Sequence, residues 1–172
     1  MRRLVIIGLI AGSLFAGSAW AQQSTYISPP WTKIGTATND SAPVGYVGEV
    51  ISSTLASGSA VSLTTATPAN ITNVSLTAGD WNCWAVADYT LTGATASDFK
   101  AGLSATSATF GAQDSFIEFP IVTTLLSGSM TAPSPAQRIS LASTTTEYLV
   151  GQETFSAGSV SAYGTLTCCR MR

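Results

Sequence analysis

The chain contains no histidine. That excludes Ser-His-Asp and Cys-His nucleophile sites, and it excludes any metal centre built on imidazole. Three cysteines, at positions 83, 168 and 169, match no zinc-binding spacing. Charge is also scarce: 9 % of residues, seven basic against nine acidic. Nucleic-acid binding needs clustered Lys and Arg that displace counterions from phosphates, and no such cluster exists here. Neither a Gly-rich phosphate loop nor an EF-type calcium loop is present. No cofactor is expected.

Helical periodicity is the next absence. Surface helices need long charged side chains to solvate their outer stripe, and beyond the N-terminal apolar run no stretch repeats at 3.6 residues. The sequence is rich instead in Ser, Thr, Ala and Gly, which suit strands whose outer faces meet water. The expected class is all-β.

The N-terminus is of a different kind. Met1, Arg2 and Arg3 make a short basic start, residues 4–16 are an apolar run, and Ala19, Trp20 and Ala21 offer a small-x-small cleavage pattern. This is the layout of a secretory signal over residues 1–21, with an apolar part too short for a comfortable membrane span. No cysteine follows the run, which argues against a lipoprotein anchor. The expectation is therefore export to the bacterial periplasm, cell surface or exterior, with no membrane association after cleavage. Loss of Arg2 and Arg3 takes the net charge from −2 to −4. About 150 residues remain, enough to bury one core. Residues 22–41, with Pro29 and Pro30, read as a partly disordered lead-in. Its exceptions are Tyr26, Ile27 and Trp31, which pack on the domain or a neighbour unless left in solvent. Residues 42–172 form the expected domain.

The rest of that domain is arranged around residues 71–91. From Trp81 the odd positions are Trp81, Cys83, Ala85, Ala87, Tyr89 and Leu91, all apolar; the even ones are Asn82, Trp84, Val86, Asp88 and Thr90. Period two means a strand with one face in a core. Before it, Thr77, Ala78, Gly79 and Asp80 read as the turn of a hairpin with a strand at 73–76, the Asp side chain closing on the backbone. Further strands are expected at 45–53, 61–63, 99–103, 138–141, 147–155 and 160–171. The run 116–126 is interrupted by Pro120, which marks an edge or broken strand. Residues 128–135 read as a loop, and 143–146 as the link between two strands. Roughly eight strands at this spacing indicate a sandwich, jelly roll or barrel.

Several of these stretches carry a resemblance. Residues 35–40 (GTATND), 61–64 (VSLT) and 74–81 (VSLTAGDW), with 138–141 (RISL), 146–150 (TEYLV), Phe155 and 161–164 (SAYG), resemble small structural proteins of tailed bacteriophages and prophages. More remotely, the chain is similar to the trimeric jelly rolls of the tumour-necrosis-factor and complement globular-head type. In those a Gly-aromatic turn opens a central strand and the final strand lies beside it. The resemblance implies a jelly-roll β-sandwich that forms a homotrimer through one sheet. Two features depart from the phage group: the export signal, and Cys168-Cys169 ahead of Arg170, Met171 and Arg172.

On the jelly-roll analogy the start of the central strand meets the end of the last one. Cys83 then faces Cys168 or Cys169, only one of which shares its side of the sheet. Three reduced thiols, or a bond between Cys168 and Cys169, are the alternatives; a leftover thiol could link chains. The acids near aromatics, namely Asp80, Asp88, Asp114 and Glu118, are the residual candidates for a carboxylate pair. Each also has a structural explanation in a turn or on a strand face. Trp84 and Val86 fall on the face opposite the inferred core. Such a face is covered by sister chains, a sugar or a second sheet, unless the two faces are reversed and Trp84 is core. Two functions follow: a non-enzymatic exported structural or attachment module, and a secreted carbohydrate-binding module stacking sugars on Trp31, Tyr46 or Trp84.

Overall fold

The computed structural model describes residues 40–120 and 127–172. The expected signal peptide and nearly all of the lead-in, Trp31 included, lie outside the described residues. Ten strands form among the described residues: β1 (Val50–Leu55), β2 (Val61–Ser62), β3 (Ala69–Leu76), β4 (Gly79–Thr92), β5 (Thr95–Ser104), β6 (Phe116–Pro120), β7 (Ser127–Pro133), β8 (Gln137–Leu141), β9 (Thr145–Ser156) and β10 (Ser159–Arg170). The first sheet runs β1-β10-β4-β7, with β2 following β1 along β10 and β8 following β7 along β4. The second runs β3-β9-β5-β6. All pairings are antiparallel. Ten strands thus fill eight sheet positions, and the chain passes back and forth between the sheets as in a jelly-roll sandwich.

The core follows from the alternation in β4. Trp81, Cys83, Ala85, Ala87, Tyr89 and Leu91 are all buried, while Trp84 and Thr90 are exposed on the other side. β10 lies against β4 over twelve residues, from Ser159 opposite Thr92 to Arg170 opposite Trp81. Its own alternation sends Val160, Ala162, Leu166 and Cys168 inward. From the second sheet Phe99, Leu103 and Leu149 complete the filling. Tyr89 packs edge-on to Phe99 at 5.2 Å between ring centres, and its hydroxyl donates to the Lys100 carbonyl at 2.5 Å. Buried phenol hydroxyls need such a partner.

Three expectations about the course of the chain are corrected. First, β3 and β4 do not form a hairpin: they belong to different sheets, and residues 77 and 78 carry the chain across the sandwich. Gly79 sits at this corner with φ +140°, and a Cβ there would lie 2.2 Å from the Arg170 Nη1. The corner needs glycine for both reasons. Asp80 does not close a turn; it is already part of β4. Second, the start of the first strand shifts to Val50, because Gly45 and Gly48 take φ values of +86° and +90° in turns. Third, most of residues 128–135 is not loop but strand β7, paired with β4 from Val86 to Thr92. The link expected between the strands at 138–141 and 147–155 is residues 142–144, between β8 and β9, and because these lie in different sheets it is another crossing. Pro120 ends β6 at the rim of the second sheet, as its missing N–H requires.

Candidate functional site

The outer face of the first sheet is built from alternate residues of its strands. β4 contributes Asn82, Trp84, Val86, Asp88 and Thr90, β10 contributes Ser161, Tyr163, Thr165, Thr167 and Cys169, and β1 contributes Val50, Ser52 and Thr54. Trp84 is 39 % exposed in the single chain and Val86 half-buried. The middle of the face is nearly free of charge: its one acid, Asp88, accepts a hydrogen bond from the Thr131 hydroxyl of β7. Tyr46 is exposed as well, but in the turn ahead of β1 rather than on the sheet. No ring contact joins it to Trp84; the ring pairs among the described residues are Tyr89–Phe99 and Phe110–Phe116.

One end of this sheet is clamped by a covalent bond and two ionic clusters. Cys83 and Cys168 stand directly opposite each other in the β4–β10 register, both inward and fully buried. They form a disulfide with Cα atoms 4.1 Å apart. Cys169 points outward beside Val50 and Asn82 and carries the free thiol. Arg170, also inward, donates to Glu49 at 2.8 Å, to the Ala78 carbonyl at 2.9 Å and to the Thr77 hydroxyl. Its guanidinium lies 4.2 Å from the centre of the Trp81 ring. Burial works against Glu49 ionising, but the Gly45 amide and Arg170 outweigh it, so its pKa is lowered. Asp80 receives Arg138 through two bonds of 3.0 and 2.7 Å and Arg172 at 2.5 Å. Those hydrogen bonds, Arg138 first, hold its pKa down at about 2.

The carboxylate candidates do not meet as a catalytic pair. Asp80 is held by the two arginines and Asp88 by Thr131. Glu118, on β6, is paired with Lys100 at 3.2 Å, whereas Asp114 lies in the turn before that strand. The acids that stand out chemically are two that the sequence reading passed over. Glu147 and Glu153 lie on the inward face of β9 at 3 % and 0 % exposure. Burial pushes Glu147 up to about 7; burial and the Asp98 charge push Glu153 up to about 8. Among the described residues no hydrogen bond reaches either oxygen of Glu153. The signal was present in the strict alternation Glu147, Leu149, Gly151, Glu153, Phe155, read with the acids on the apolar side.

Glu147 opens onto a cleft of about 750 Å³ between the ends of the two sheets, walled by the β5–β6 connection and by β8. The wall is preformed. Leu103 N–H donates to the Ser115 carbonyl at 3.0 Å. Asn70 holds the connection from below, its side chain bonding the Ser107 hydroxyl at 2.7 Å and the Ala108 N–H at 2.6 Å. Among the described residues no group of three His, Cys, Asp or Glu could hold a metal ion. Nor is any helix there long and apolar enough to cross a membrane.

No protein-family model matches the chain, and no curated protein does. Among the solved structures that resemble it in fold are two of one virus. One is the structure of infectious bursal disease virus, Gx strain, at 13 % identity and a TM-score of 0.42, covering 72 % of this chain and 32 % of that one. The other is the VP2 subviral particle of infectious bursal disease virus, at 14 % identity and 0.41, covering 72 % and 33 %. The chain spans about a third of the length of these viral proteins. The likeness concerns the β-sandwich alone.

Proposed function

We propose that this domain is a non-enzymatic, exported structural module of phage-like origin, which assembles with copies of itself through the outer face of the first sheet and acts in attachment at a cell or particle surface. The observation that carries the reading is Trp84 standing exposed on a central strand, with Val86 beside it and almost no charge around it. Copies of an acidic chain repel one another unless the surfaces that meet carry little charge, and the middle of this face carries only Asp88. A tryptophan at the middle of a patch is the usual anchor of an interface. The threefold number follows the resemblance to trimeric jelly rolls. The buried Cys83–Cys168 bond supports passage through an oxidising compartment, since such bonds are rare in reducing cytosol. An enzyme is not favoured, because Asp80, Asp88 and Glu118 are each engaged by a structural partner.

A second reading shares the same observation. An exposed indole among the hydroxyls of Ser52, Thr54, Thr165 and Thr167 is also a surface on which a sugar ring could stack. Light scattering combined with a glycan screen separates the two. A trimer with no sugar ligand supports assembly; a monomer that binds sugars, and loses them on Trp84→Ala, replaces it with carbohydrate binding.

A further inference from the structure

The cleft at the end of the sandwich is chemically one-sided. Its free charged groups are acids. Arg138, the one cation on its wall, is turned to Asp80 through both of its bonds. The Ser104 and Ser115 hydroxyls are engaged by backbone groups of their own loop. Gln137 donates to the Asp114 carbonyl at 3.4 Å. That leaves the carboxyls of Asp114 and Glu147 without a hydrogen bond or ion pair among the described residues. Glu147 is 97 % shielded from solvent, taken as the complement of its 3 % exposure, yet it borders the cleft. A buried acid with no donor is costly unless something enters to satisfy it.

The rest of the lining is mostly apolar, with Leu103, Ala105, Ala112, Ala136 and Ile139, and its further members are Gly111 and the neutral hydroxyl residues Thr106 and Ser140. The volume falls within the range of small-molecule sites. We propose that this cleft binds a small organic cation, a primary ammonium on an aliphatic chain, with Glu147 as its buried counter-charge and Asp114 as the acid at its rim. The aliphatic part lies against the Leu, Ile and Ala side chains, and the ammonium supplies the three donors that Glu147 lacks. This assignment is independent of self-assembly, because the cleft and the outer face of the first sheet use different residues.

The charged groups around Glu147 are few. β3 carries none, β5 carries Asp98 and Lys100 far along the strand, β8 carries Arg138, and the β5–β6 connection carries Asp114. Raising the pH to ionise Glu147 therefore strengthens the site for a cation. Isothermal titration of the oxidised protein with 1,5-diaminopentane, and separately with neutral 1,5-pentanediol, tests the assignment. The diamine should bind at about pH 8.5 and weaken about tenfold or more at about pH 5.5, and Glu147→Gln should weaken it similarly at the higher pH. The diol should not bind. The pH comparison on the unaltered protein stands even if the variant folds poorly. Absence of diamine binding, equal binding at both pH values, unchanged binding by a folded Glu147→Gln, or equal binding of the diol would each overturn the assignment.

Discussion

Glu153 makes the stability of this domain run against the usual pH trend. It is fully buried on the inner face of β9, beside Phe99 of β5 in the strand register, and neither carboxyl oxygen has a hydrogen-bond partner among the described residues. Its pKa rises from an ordinary 4.5 to about 8, so the folded chain keeps a proton that the unfolded chain releases. The stability tied to that proton is fully present below about pH 4.5 and is lost as the pH climbs through about 8. The gap corresponds to up to about 5 kcal/mol at 1.36 kcal/mol per pH unit. Glu147, raised to about 7, acts in the same direction. Asp80 and Glu49, whose pKa values are lowered, act in the opposite one: their contribution is lost on acidification, for Asp80 as the pH falls through about 2. Stability should therefore peak near pH 4–5 and decline toward pH 8. Urea unfolding followed by tryptophan fluorescence at intervals between about pH 4 and 8.5 measures the slope. Glu153→Gln removes the titration while keeping the shape, and its slope should be visibly shallower. A wild-type stability that is flat or rising over this range, or a variant with an unchanged slope, would refute the reasoning.

Four further outcomes follow from the clamped end and from the central strand pair. Removing the Cys83–Cys168 bond, whose partners are 85 residues apart, by a double alanine substitution should cost up to about 4–5 kcal/mol in urea unfolding by the loop-entropy model. The intact oxidised protein should take one alkyl label, at Cys169, by mass spectrometry. Arg170→Met leaves Glu49 buried without its cation and should cost about 3–5 kcal/mol; adding Glu49→Gln should recover part of that loss in a double-mutant cycle. Gly164→Ala places a Cβ 2.1 Å from the Val86 carbonyl oxygen, forcing β10 away from β4. Thermal melts should show a loss of about 3 kcal/mol or more, or no folded protein at all.

How far these features could be read beforehand depends on what each residue declares locally. The alternation from Trp81 to Leu91 stated both its period and its buried side, because tryptophan, tyrosine and leucine on one parity leave little choice. Pro120 likewise announced a sheet rim. β7 was hidden because Gly128, Ser129 and Pro133 signal a loop; only Met130 and Ala132 turn toward the core, too short a pattern to compete. Thr77, Ala78 and Gly79 read as a hairpin turn because a turn sequence records the change of direction, not the sheet to which the chain returns. Arg170 completes that corner from 91 residues away, a dependence that no local pattern contains. Glu147 and Glu153 sat in the right register to be inward, but the strong preference of carboxylates for water makes such a reading unnatural. Residues that break that preference are those whose burial has to be explained by something other than packing.

The most direct test of the assembly reading is the mass of the oxidised protein in solution, measured by sedimentation equilibrium or light scattering for the unaltered chain and for Trp84→Glu. A trimer that dissociates to folded monomers on that single substitution is the predicted result. An unaltered chain that is monomeric at every concentration, or an oligomer whose mass does not change when Trp84 becomes Glu, would contradict it.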